Sequence, residues 1–178
     1  MRHKSGVGRP PLAIDHLPSI LVIVNHTMTK EELKAALASV FPEAMFDESS
    51  EWLAMQVNPG AWKEVAEKLR HGAGLDFDYL FCITGVDWKT HLSLVYHLSS
   101  TKHRQSLVIK SILDRNQPEI ETVSDIWRTA EFHEREAYDL FGIRFKHHPD
   151  LRRLFLTEEW QGWPLRKDYE DPVNMIKL

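Results

Sequence analysis

Phe77-Asp78-Tyr79-Leu80-Phe81-Cys82-Ile83-Thr84-Gly85-Val86-Asp87, then His91-Leu92-Ser93-Leu94-Val95-Tyr96-His97-Leu98-Ser99, then Arg104-Gln105-Ser106-Leu107-Val108-Ile109-Lys110-Ser111-Ile112-Leu113 are three strand-length runs separated by a few polar residues. Alternate side chains of a strand point to opposite faces. Phe77, Tyr79, Phe81 and Ile83 therefore share a face of the first run, Leu92, Leu94, Tyr96 and Leu98 of the second, and Leu107 and Ile109 of the third. Connections this short make the three neighbours antiparallel.

Working upstream, Thr29-Lys30-Glu31-Glu32 forms a capping box, after which Leu33, Leu37, Val40 and Phe41 recur at helical spacing until Pro42. An apolar stretch, Ile20 to Val24, precedes it. Glu51 to Val57 alternates as a strand, and Asn58-Pro59 is a cap and first-turn pair. Trp62, Val65, Ala66 and Leu69 line one face of the helix that follows, which Gly72 ends. Downstream, the spacing predicts a third helix from Ser124 as N-cap to Phe141, with Gly142 in the left-handed position. The order predicts an α+β fold, a mixed β-sheet with helices packed on it. An extended C-terminal arm follows, because no steady period continues past Gly142. The chain divides into a flexible leader (1–18), the α+β body (19–143) and a partner-docking arm (144–178).

Of 178 residues, 43% are hydrophobic and 27% charged, ordinary values for a globular domain. A net charge of −4 and a pI near 6.2 leave no basic footprint for nucleic acid. No apolar run approaches the roughly 18 residues that span a bilayer, so other chains must supply any membrane contact. Met1 to Pro11 carries basic residues but no apolar region behind them, and reads as a leader rather than a secretory signal. Cys82 is the single cysteine, read as a buried inert thiol in a strand. One thiol cannot hold an iron–sulfur cluster, which takes about four ligands.

On the third helix, Trp127, Ala130, Ala137, Tyr138 and Phe141 form an apolar stripe with Glu134 in its middle. A carboxylate there must find a cation or strong donors, or take up a proton. The reading adopted is an anchor for an arginine of the arm, Arg152, Arg153 or Arg166, through two parallel hydrogen bonds. Glu131, Arg135 and Asp139 are spaced as successive i,i+4 pairs along an adjacent polar flank, and Glu136 lies opposite the stripe. His147, His148 and Asp150, with Glu134, supply ligand types for a metal-dependent hydrolase, but their spacing matches no recognised metal motif. Gly72-Ala73-Gly74 follows a helix rather than a strand and is no dinucleotide loop; no phosphate loop or nucleophile elbow occurs. From Arg144 to Leu178, seven Lys/Arg face six Asp/Glu, so no one-signed field develops. Trp160, Trp163 and Tyr169 stand among these charges as interface anchors do.

Three blocks carry a resemblance: Glu134-Arg135-Glu136-Ala137-Tyr138-Asp139-Leu140-Phe141-Gly142, then His148-Pro149-Asp150-Leu151-Arg152-Arg153, then Trp163-Pro164-Leu165-Arg166-Lys167-Asp168-Tyr169. In order and spacing they resemble the signature of the C subunit of the proton-pumping NADH:quinone oxidoreductase, respiratory complex I. The detailed match covers roughly residues 122–170, and the preceding residues fit in their order of elements. Two positions depart from the pattern: Glu131-Phe132-His133 ahead of Glu134, and Trp163 before the Pro-Leu-Arg-Lys-Asp block.

The resemblance implies a non-catalytic, cofactor-free subunit of the hydrophilic arm, with FMN and iron–sulfur clusters in partner subunits. The assembled enzyme passes electrons from NADH to a membrane quinone, coupled to proton transport. It further implies docking on the quinone-site (D) subunit, with the B and I subunits nearby. The location implied is peripheral, on the cytoplasmic face of the inner membrane. It marks Glu134, Arg135, Glu136, Asp139, His148, Asp150, Arg152, Arg153, Arg166, Lys167 and Asp168 as signature and docking residues, beside the three aromatics. Three other readings stand beside it: the equivalent component of a membrane-bound hydrogenase or of a ferredoxin- or deazaflavin-fed relative, a metal-dependent hydrolase, and a transient assembly factor.

Overall fold

The meander forms as the alternation requires. A computed structural model of the chain describes residues 28–171; the leader, the Ile20–Val24 stretch and the end of the arm lie outside them. β3 (Tyr79–Asp87), β4 (His91–Ser100) and β5 (Gln105–Asp114) pair antiparallel, and β2 (Leu53–Val57) joins β5 in parallel. β1 (Met45–Asp47) adds an antiparallel edge, giving the order β1-β2-β5-β4-β3. Register places Met55, Ile109, Tyr96 and Ile83 in one row across four strands. Such rows bury apolar area that stabilises by about 1.5–3 kcal/mol per large side chain.

α1 (Lys30–Val40) starts on the capping box, with Thr29 and Glu32 bonding each other's backbone N–H. A single 3-10 turn, Pro59–Ala61, is capped by the Asn58 side chain and leads into α2 (Trp62–His71). Leu33 and Leu37 of α1 and Trp62, Ala66 and Leu69 of α2 share one core with the row residues. Trp62 lies at the centre, 4.5 Å from the Tyr96 ring and stacked on Trp127 at 6.4 Å.

The first run departs from its expected face. Leu80 pairs with Leu98 and Cys82 with His97, so Phe81 is an extra residue in a β-bulge. The bulge turns Leu80 and Ile83 into the core and leaves Tyr79 exposed, with Phe81 against Trp52 and His97. Cys82 consequently sits half-buried, its Sγ 3.3 Å from Thr84 Oγ1, and not in the core.

α3 (Ala130–Phe141) begins six residues after Ser124. Thr122 and Ser124 bond each other's hydroxyls, and the Thr122 hydroxyl and Val123 N–H serve Glu134, so no capping group is left for a helix at Ser124. At Gly85 the Phe141 ring presses so close that a Cβ would stand 2.6 Å from it, which seats α3 on β3. β6 (Glu119–Glu121) and β7 (Arg144–Lys146) form a second, parallel two-stranded sheet around α3. The arm therefore begins as a strand of the body. After Lys146 it has no helix or strand among the described residues, but it lies along α3 as a strap instead of standing away from the body.

Candidate functional site

The signature residues converge where the strap crosses α3. Asp139, solvent-free at 0% exposure, is the anchor. Its Oδ2 accepts three consecutive backbone N–H groups, Leu154, Phe155 and Leu156, at 3.0, 2.7 and 3.0 Å. Its Oδ1 accepts from Arg153 at 2.9 Å. Burial pushes this carboxyl up, but the three amides and the guanidinium outweigh burial and hold it below its ordinary range.

Arg153 spends its other N–H groups on the carbonyls of Asp139, Trp160 and Gly162, and its guanidinium lies 4.7 Å over the Trp163 ring. Trp163 meets Tyr138 edge-on at 5.5 Å and presses on Gly142, where φ is +72° and a Cβ would fall 2.5 Å from the indole. Glycine at 142 thus serves twice, as the left-handed helix end and as the floor under Trp163.

Arg135 is buried and donates to the Arg152 and Arg153 carbonyls, with the Asp150 carboxylate 3.9 Å away. The expected i,i+4 ladder is absent: Glu131 pairs with Arg128, while Arg135 and Asp139 are covered by the strap and turned to it. The Arg152 side chain, exposed, bonds only Asp150 among the described residues. Glu136 is half-buried and has no hydrogen bond or ion pair among the described residues.

Farther along, Leu165 N–H donates to the Leu140 carbonyl and Arg166 Nε to the Phe141 carbonyl at 2.7 Å, capping the C-terminal end of α3. Arg115 grips Asp87 and Asp168, each through two hydrogen bonds, and Lys167 N–H also reaches Asp87. The Arg115 guanidinium holds the buried Asp87 carboxyl well below the usual carboxylate range. Lys167 Nζ lies 6.0 Å over the Trp88 ring, and Tyr169 closes on Gly162.

Glu134 is fully buried, as its place in the apolar stripe predicts, but among the described residues no arginine reaches it. The three candidates are taken by Asp150, Asp139 and the Phe141 carbonyl. Instead Thr122 Oγ1 and Val123 N–H bond its carboxyl, and His148 Nε2 stands 3.8 Å off. Burial raises its pKa to about 7, against the lowering by those two hydrogen bonds.

The hydrolase reading fails on geometry. His147 is exposed and paired with Glu121, Asp150 faces Arg152, and His148 bonds the Glu131 carbonyl. No group of three or more His, Cys, Asp or Glu residues converges among the described residues.

Trp160, Trp163 and Tyr169 are half-buried against this chain's own strap and helix, so they are not free anchors. The exposed apolar side chains along the strap are others: Phe132 at 58%, Phe155 at 66% and Leu165 at 52%. Reading the sequence for aromatics among charges singled out tryptophan and tyrosine. The signal for Phe155 and Leu165 was weaker, an apolar residue in a segment without period.

A family model described as the respiratory-chain NADH dehydrogenase 30 kDa subunit matches residues 55–173. The chain belongs to that family. One relative, the C/D subunit of the NADH-quinone oxidoreductase of Phocaeicola vulgatus, is 50% identical over 113 residues, covering 62% of this chain and 21% of its own. The chain thus spans about a fifth of that relative's length. The C subunit of the F(420)H(2) dehydrogenase of Methanosarcina mazei is 42% identical over 145 residues, covering 78% of this chain and 90% of its own. Among solved structures, a chain of the archaeal membrane-bound sulfane sulfur reductase matches at a TM-score of 0.68 with 25% identity, over 79% of this chain and 85% of that one. No helix among the described residues is long and apolar enough to cross a membrane.

Proposed function

We propose that this chain is a structural component of the peripheral arm of a respiratory NADH:quinone oxidoreductase. It docks on the quinone-site (D) subunit through α3 and the strap, with the B and I subunits nearby. The complex sits on the cytoplasmic face of the inner membrane and moves electrons from NADH to a quinone through FMN and iron–sulfur clusters in its partners. One observation carries the docking reading: Asp139, Arg153 and Arg166 are spent on bonds that tie the strap to α3, while Phe132 of α3 and Phe155 and Leu165 of the strap face out. A relative whose name joins the C and D components in one chain supports the quinone-site protein as the neighbour.

Cys82 alone cannot supply the four thiolates of a cluster, and its sulfur is turned toward Thr84. The part played by this chain is to hold partners in register. Apolar anchors that exclude water at the centre of an interface carry most of the affinity in such contacts.

The test is mild detergent extraction followed by identification of the co-migrating chains, for wild type and for Phe155→Asp and Leu165→Asp. Wild type co-migrates with an NADH-oxidising flavoprotein and the quinone-site protein. The variants lose both while keeping the thermal melt of the free chain. Co-migration unchanged in both variants rejects the docking surface. The F(420)H(2) dehydrogenase and sulfane sulfur reductase relatives favour a second reading, the same module fed by another electron donor. A deazaflavin- or ferredoxin-dependent partner in the extract selects it.

A further inference from the structure

Glu134 needed a cation, strong donors or a proton, and the structure withholds the cation. Every charged or titratable group that faces it has other business. Lys63, from α2, bonds the Thr122 carbonyl and pairs with Asp125 of the loop before α3. Tyr96, from β4, is wholly buried, and burial first, then the Glu134 charge, raises its phenol far above its usual range, so it stays neutral. Its hydroxyl and the Trp62 Nε1 are enclosed without a hydrogen-bond partner among the described residues. His148, from the strap, is fully enclosed. The Asp150 N–H points at its Nδ1, so the ring proton is on Nε2 and donates to the Glu131 carbonyl at 3.1 Å. The Nε2 N–H is thus spent on that carbonyl.

Two hydroxyls connect this enclosed carboxyl to solvent. Glu134 Oε2 bonds Thr122 Oγ1, which lies 2.9 Å from Ser124 Oγ. Thr122 and Ser124 line an open cleft of about 410 Å³ beside α3, whose walls include Lys63, Asp125, Arg128 and His147. We infer that Glu134 is a proton-binding site of this protein, exchanging its proton with the cleft through Thr122 and Ser124. The hydrogen-bond chain has two directions. With the carboxylate ionised, the Thr122 hydroxyl donates to Glu134 and the Ser124 hydroxyl donates to Thr122. On protonation, cleft water gives a proton to Ser124 Oγ, Ser124 passes its own to Thr122, and Thr122 passes its own to Glu134. The carboxylic acid then donates to Thr122 Oγ1, and Thr122 to Ser124. One proton enters, each hydroxyl keeps one, and no heavy atom need move. The Val123 N–H remains on Oε1 in both states.

The site reaches the strap as well. Ionisation places a negative charge 3.8 Å from His148 Nε2 and attracts its N–H away from the Glu131 carbonyl. His148 is held through Nδ1 by the Asp150 amide, so the first turn of the strap senses the state of Glu134.

The experiment is a pH titration of the full chain carrying ¹³C-labelled glutamate, with the Glu134 carboxyl assigned by its loss in Glu134→Gln. This goes beyond the docking reading and needs no partner, so either can fail alone. One carboxyl is expected to titrate reversibly with a midpoint near 7, and the Asp150 amide to follow with the same midpoint. Thr122→Val, which removes a donor to the anion, raises that midpoint by about one pH unit, and Thr122→Ser restores it. Ser124→Ala keeps the midpoint but splits one averaged Glu134 signal into two. A Glu134 that titrates with the ordinary carboxylates at about 4–5 overturns the site. So does one that holds its state until the chain unfolds. An averaged signal unchanged in Ser124→Ala overturns the relay.

Discussion

The sheet and the strap are held by opposite means. The sheet buries rows of Leu, Ile, Met and Tyr against α1, α2 and α3, and Trp62 fills the centre. The strap has almost no core of its own: it is tied by Asp139, Arg153, Arg166 and Arg115 to backbone groups and to each other. Apolar burial is non-directional and tolerates sliding. Charge-assisted hydrogen bonds fix geometry and fail when one partner goes. The second kind sets the path of the strap while leaving Phe155 and Leu165 outward.

The largest expected effect breaks the sheet side of this contrast. Trp62→Ala opens the centre of the core and should cost about 3–5 kcal/mol, read as a lowered denaturant midpoint of the whole body. A body as stable as wild type would place the core elsewhere. On the strap side, Asp139→Ala takes the carboxylate from Arg153, which keeps its carbonyl acceptors, and leaves three N–H groups without theirs, a loss of about 3–5 kcal/mol for a buried pair. Here the readout is local. Trypsin cleavage after Arg152 and Arg153 should accelerate while amide exchange in β3–β5 holds. Equal acceleration in sheet and strap would show that the two are one cooperative unit.

Acidity separates them again. Burial raises Glu134 to about 7 from 4.5, so its folded form prefers the proton. Its stability is full below about pH 4.5, declines as pH rises to about 7 and stays lower above, a change on the order of 3 kcal/mol. Asp139 has the opposite sign: its lowered carboxyl stabilises at neutral pH and loses that contribution as pH falls through the acid range. Denaturant midpoints from pH 5 to 8 should slope downward in wild type and flatten in Glu134→Gln. An unaltered slope in the variant assigns the titration to another group. The smallest effect is Arg152→Ala. Exposed and paired only with Asp150, it should cost no more than about 1 kcal/mol and leave strap protection intact.

That neighbouring arginines differ so much shows where sequence reading stops. Nothing in Arg152-Arg153 tells which turns inward; the path of the strap over Asp139 decides it. The i,i+4 spacing of Glu131, Arg135 and Asp139 suggests a ladder of pairs, because spacing on a helix says who is near, not what covers them. The exposure of the strap's apolar side chains is hidden from the sequence for the same reason. Trp163 is drawn under Arg153 by the void at Gly142, leaving Leu165 outside. β1, β6 and β7, three residues each, are too short to show a period.

By itself the sequence determined the elements whose signal is local: the alternation of β4, the capping box at Thr29, the Asn58-Pro59 start, the left-handed Gly142 and the burial of Glu134. It also carried the three blocks that place the chain in its family. Only the tertiary structure decided the bulge at Phe81, the late start of α3, the partner of Glu134 and the anchoring of the strap. Each of these is made with backbone N–H or C=O groups or by the packing of distant segments. Backbone groups are the same at almost every residue, so the sequence gives no sign of which three amides Asp139 will hold.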